Sequence, residues 1–278
     1  MLFRSIDIDF PDGSTGSAVY GRLESEDWNE FLRAGCSFLT LNASLGWDGT
    51  LGELPAIGSA CGRGLHILPL ERGFDVSQLQ SIRGISYLYL GEGCKGELDL
   101  AWFEDLVEIR LMCKPKKFKL LISGACGLKK LSSIGAHIRD PGALSLLRNL
   151  RGLELIRPSF HASALPEDLA LDALEAYGWT KLHDLDWIAR FRLGSLRLST
   201  CRRIQDYSAL QHMTSLESLY LDDCSHVPSA KLVCELPRLK SLTMRGTEFV
   251  DKDISCLAGM GLEKLNLSGR GYFGSACA

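Results

Sequence analysis

The chain has 278 residues, 46% hydrophobic and 23% charged, with a net charge of −3. That composition excludes a disordered polar chain, and so small a net charge gives no ground for a nucleic-acid or membrane-surface partner. No apolar run of signal-peptide length opens the sequence, and no stretch approaches the roughly 18 apolar residues that span a bilayer. Cys277 stands second from last, where a prenylation box needs it fourth from last. A cytoplasmic protein is the expectation, and its ten cysteines are expected to stay reduced.

The first 60 residues hold nine acids against Arg4, Arg22 and Arg33, a local net of −6. Ser25 followed by EDWNEFLRAG reads as an N-capped helix ending at Gly35. Residues 1–36 are therefore expected to form a cap of one strand and a short helix that shields the first sheet edge. LTLN, at 39–42, reads as a first strand.

A clock follows. Leu68, Leu88, Ile109, Leu131, Leu153, Leu174, Leu196, Leu219, Leu242 and Leu265 stand 20, 21, 22, 22, 21, 22, 23, 23 and 23 residues apart. A globular core has no need of such regularity, whereas a stack of repeats must lay each strand beside the last. The C-terminal repeats show the rule: LGSLRLSTCRRIQDYSAL (193–210), LESLYLDDCSHVPSAKLVCEL (216–236) and LKSLTMRGTEFVDKDISCL (239–257). Side chains alternate along a strand, so Leu196 and Leu198 enter the core while Ser195 and Arg197 face outward. Leu193, Leu216 and Leu239 add a second inward layer, then Ile204, Val227 and Val250, and Leu210, Leu236 and Leu257 close the far side. Cys201 and Cys224 share the slot that turns strand into loop. Ser133 and Ala176 replace the second strand leucine in two degenerate middle repeats.

LRLSTCRRIQDYSAL (196–210), LYLDDC (219–224), LTMRGTEFVD (242–251) and LEKLNLSG (262–269) resemble the leucine-rich-repeat family, in its 22-residue, internalin-like form. The resemblance implies an α/β solenoid, with a curved parallel β-sheet on the concave face and short 3-10 or helical turns on the convex face. It places about ten repeats over 37–272, between the cap and a tail at 273–278, with Tyr272 and Phe273 covering the last repeat.

No motif adds chemistry. The glycines of GEGCKG (91–96) match GxGxxG, but neither a crossover helix nor an acid about 20 residues on accompanies them; they serve a turn. KPKKFK (114–119) reads as a solvated loop. The six histidines are scattered, and His183, Asp184 and Asp186 have no nucleophile beside them. The sequons at Asn42 and Asn266 fall in strands and are expected to be silent. Neither metal nor cofactor is expected, and an enzyme is not.

The outward strand positions are the candidate binding residues: Tyr87, Tyr89, Glu108, Arg110, Glu154, Arg157, Glu175, Tyr177, Arg197, Tyr220, Asp222, Asp223, Arg245 and Arg270, with Lys130, Lys264 and Asn266 beside them. Tyrosine and arginine dominate binding energy at interfaces, and mixed charge suits a protein better than a polyanion. The expectation is a monomeric, non-catalytic module gripping one protein partner on the concave face. Bare repeat proteins of this family suggest an immunity-type inhibitor of a cognate toxin, an intracellular scaffold or adaptor, or an exported effector.

Overall fold

The computed structural model describes residues 5–9, 15–19, 38–49, 51, 63–69, 73–124 and 127–268. The expected helix at 25–35, Arg270, Tyr272 and Phe273 lie outside them. Packing divides the chain into two units, one running to Arg139 and including Leu146–Asn149, the other holding Asp140–Ser145 and everything from Leu150 onward.

The first unit opens with an antiparallel pair, β1 (Ser5–Asp9) and β2 (Thr15–Val19). Thereafter every repeat adds one parallel strand: β3 (Phe38–Asn42), β4 (Arg63–Leu68), β6 (Ile85–Leu90), β8 (Glu108–Leu111) and β10 (Lys130–Ile134). The return legs form a second parallel sheet, from β5 (Phe74–Asp75), β7 (Cys94–Asp99) and β9 (Phe118–Leu121). The reason is local: CKGELD buries Cys94 and Leu98, and FKLL buries Phe118 and Leu120, which is the period of a strand.

The second unit stacks β11 (Gly152–Ile156), β12 (Ala173–Tyr177), β13 (Ser195–Ser199), β14 (Ser218–Asp222), β15 (Ser241–Arg245) and β16 (Lys264–Ser268) in parallel register. Its return legs are 3-10 turns and one short helix, α1 (Lys231–Cys234). In RRIQDYSAL the buried residues are Ile204, Tyr207, Ala209 and Leu210, a spacing that suits tight turns rather than a second sheet.

Both units bury the strand columns. Leu88, Ile109 and Leu131 in one, and Leu174, Leu196, Leu219 and Leu242 in the other, are fully enclosed. Each such leucine contributes about 1.5–3 kcal/mol of hydrophobic stabilisation. An aspartate caps most return legs by accepting the backbone N–H two residues on: Asp75 from Ser77, Asp99 from Ala101, Asp184 from Asp186, Asp206 from Ser208 and Asp253 from Ser255. This is an Asx turn, which satisfies a donor that the short turn leaves free. The N–H of Ser77 and that of Ser208 hold their carboxyls below the ordinary range.

Three expectations need correction. Leu65, not Leu68, is the column residue of β4: it pairs with Leu39 and Leu88, and the register shifts at Arg63/Gly64. Val250 is 64% exposed; Phe249 occupies the inward slot instead and bridges to Val227. Cys234 and Cys256 are joined in a disulfide, while Cys94, Cys113, Cys201 and Cys224 remain buried thiols.

Candidate functional site

The register of the second unit brings its outward residues into rows. Glu154, Glu175, Arg197, Tyr220, Thr243 and Asn266 are successive partners along one row; Ile156, Tyr177, Ser199, Asp222, Arg245 and Ser268 follow along the next. Neighbouring strands lie about 4.8 Å apart, so long side chains in a row touch. The Arg197 guanidinium lies 4.3 Å from the centre of the Tyr220 ring, and its Nε is 3.8 Å from Glu175. The Tyr177 hydroxyl donates to Glu175 at 3.2 Å, and Arg245 donates to the Tyr220 hydroxyl at 3.4 Å. The Tyr177 hydroxyl and then the Glu175 carboxylate hold the Arg197 pKa above its ordinary value. A charged, stacked arginine fixed on both sides is presented to solvent, with its side chain 44% exposed.

Arg157 and Asp223 are not strand residues. Each stands one place past a strand, at φ 51° and 52°, in a column that continues through Gly178, Thr200 and Gly246. The left-handed turn aims each N–H forward to the next strand: Arg157 to Tyr177, Gly178 to Ser199, Thr200 to Asp222, Asp223 to Arg245 and Gly246 to Ser268, at 2.7–2.9 Å. Asp223 also pairs with Arg202.

In the first unit the rows are Phe38, Gly64, Tyr87, Glu108, Lys130 and Thr40, His66, Tyr89, Arg110, Ser132. Here the outward side chains close on one another. The Phe38 ring lies over Gly64, where a Cβ would stand 2.2 Å from it, and it meets Tyr87 edge-on at 5.3 Å. His66 sits 5.2–5.6 Å from Phe38, Tyr87 and Tyr89. Burial, reinforced by the Arg110 charge, pushes its pKa down to about 4, so the imidazole is neutral at pH 7. Glu108 lies between Arg110, at 3.8 Å, and Lys130, at 3.6 Å. His66 escaped the sequence reading because the Leu68 frame put β4 out of phase, and Phe38 because the first strand was read from Leu39.

The degenerate repeat has its own use. The Ser133 hydroxyl lies 2.9 Å from His137 Nδ1, and His137 Nε2 lies 2.9 Å from the Cys113 carbonyl. A carbonyl only accepts, so Nε2 carries the proton and Nδ1 accepts from Ser133. Both residues are buried, which leaves no path for a substrate to this serine–histidine pair. Burial lowers the His137 pKa against the opposing Cys113 hydrogen bond.

The remaining motifs are structural. Gly96 lies within β7 at φ +101°, and a Cβ there would meet Asp75 Oδ1 at 2.9 Å. In KPKKFK, Phe118 is buried against His137 at 5.0 Å, while Lys114 and Lys119 pair with Glu92 at 3.7 Å and Glu97 at 2.8 Å. His183, Asp184 and Asp186 line a recess of about 180 Å³ with His161. Among the described residues no cluster of three or more His, Cys, Asp or Glu could hold a metal, and no helix is long and apolar enough to cross a membrane. No protein-family model matches the chain, and no curated protein matches it in sequence.

Proposed function

We propose that the repeats are of the leucine-rich kind and that the chain is a non-catalytic module that grips a protein partner on its outward strand face. The observation that carries this reading is the Glu175–Arg197–Tyr220–Arg245 arrangement. A solvent-facing strand needs only small polar residues, such as Ser195, Ser218 and Ser241 in the adjoining row. Here arginines and tyrosines are held in place before any partner arrives. Fixed side chains lose less rotamer entropy on binding, and these residue types most often anchor interfaces.

The test is affinity capture from the native host, with wild type beside an Arg197→Ser/Tyr220→Ser variant whose thermal midpoint is checked. One stoichiometric partner held by wild type and lost by the folded variant supports the reading. Equal capture by both, or no partner at all, contradicts it. A partner whose activity stops at one-to-one ratio makes the module an inhibitor of the toxin-neutralising kind; an unaffected partner makes it an adaptor.

A further inference from the structure

We propose that Cys234 and Cys256 are a reversible redox staple that ties the return leg of β15 to that of β14, next to the last described strand. Cys234 ends α1 and Cys256 lies in the 3-10 turn Ser255–Gly259, equivalent places on adjacent repeats, with Cα atoms 6.1 Å apart. Both are half-buried, so an exchange partner can reach their sulfurs. The other four described cysteines are enclosed, and each thiol points at a carbonyl: Cys94 at Ile67, Cys113 at Leu90, Cys201 at Ala176 and Cys224 at Leu198. The hydrogen bond to Cys201, and then burial, push the Cys224 thiol further up. Among the described cysteines, Cys234 and Cys256 are the pair that is not fully buried.

The stapled leg leads directly into β16, the least enclosed strand of the second unit. Leu265 is 42% exposed, although its register partners Leu242, Leu219 and Leu196 are at 0%. Val250 is exposed as well, and among the described residues β16 pairs with β15 alone. Missing apolar contact lowers the cost of local opening. A covalent link across 22 residues restricts the opened state and so counters that loss.

The exchange is balanced by a low-mass disulfide of the glutathione class. One protein thiol gives up its proton, and the thiolate attacks a sulfur of the oxidant, expelling one small thiolate. The second protein thiolate then attacks the mixed disulfide at the protein sulfur and expels the other. The two cysteines lose two electrons and two protons, and the oxidant becomes two thiols. Excess thiol reverses both steps.

The experiment uses the full chain equilibrated in glutathione disulfide or in reduced glutathione, followed by unreduced peptide mapping and hydrogen exchange. The oxidised sample should give a linked peptide containing Cys234 and Cys256. Reduction should speed exchange over residues 248–268 by on the order of a hundredfold and leave residues 195–222 unchanged. A Cys234→Ser/Cys256→Ser variant should match the reduced wild type in both buffers. Absence of the linked peptide, equal protection in both buffers, or a redox response that persists in the double variant would each overturn the proposal.

Discussion

The two units share a strand frame but return the chain by different routes. In the first, neither Gly91 nor Met112, the residues after β6 and β8, has a positive φ, and the far side carries a second sheet together with 3-10 turns. In the second, a left-handed residue follows each of β11 to β15, and the far side is made of turns and one short helix. The outward faces differ in the same sense. That of the first unit is an aromatic cluster packed on itself around His66; that of the second is a polar network held ready and exposed. One repeat length can therefore carry a packed aromatic cluster in one region and an exposed polar network in another, depending on which outward residues fall in register.

The largest expected effect comes from Trp179, which fills the turn-built side of the second unit and donates to the Phe160 carbonyl at 2.7 Å. Trp179→Ala should cost about 3–5 kcal/mol in urea unfolding. Hydrogen exchange should show the loss in the second unit while β7 and β9 keep their protection. Loss of protection in both would erase the distinction between the return legs.

Ser133→Leu restores the repeat pattern in the first unit and should nevertheless destabilise by about 2–4 kcal/mol. The added volume meets a filled core, and His137 Nδ1 loses its donor. A gain in stability would mean that the serine–histidine pair is incidental.

His66 makes the first unit sensitive to acid. Its folded pKa, about 4, lies below the ordinary histidine value, so the unfolded chain binds more protons between pH 6.5 and 4. Its contribution is complete above the unfolded pKa and disappears as the pH falls through that window, by roughly 3 kcal/mol in all. Unfolding of His66→Phe across these pH values should lack this part of the slope.

The smallest effects test the turn column. Thr200 is β-branched at φ 54°, so Thr200→Gly should stabilise by up to about 1 kcal/mol, the relief of strain less the added chain entropy. Gly178→Ala, at φ +64° and against Arg157 and Thr200, should cost about 1 kcal/mol. Met112→Gly, after a strand of the first unit and without positive φ, should destabilise by about 0.5–1 kcal/mol. The same sign at Thr200 and Met112 would mean that the two turn types are not distinct.

The strand columns and outward rows of the second unit were legible because the repeats are regular there and the strand period is two. The β4 column was misread because a long loop and a register shift at Arg63/Gly64 displace it from the clock, and His66 went with it; Phe38 was missed because β3 was read from Leu39. Phe249 and Val250 are adjacent and both apolar, so period alone could not choose between them. The second sheet was written in the alternation of CKGELD, where the glycine pattern drew attention first. Arg157 and Asp223 look like strand residues in a linear frame; only backbone geometry places them in the turn. The cysteine link depends on two return legs coming side by side, which spacing within one repeat does not reveal.

The central claim is that the outward face of the second unit meets the partner. Hydroxyl-radical footprinting of the chain, free and in the captured complex, reads this directly through its aromatic side chains. The account predicts that Tyr177 and Tyr220 lose reactivity in the complex while Trp187, on a return leg beside Arg190, does not. Protection of Trp187 with Tyr177 and Tyr220 unchanged would contradict it.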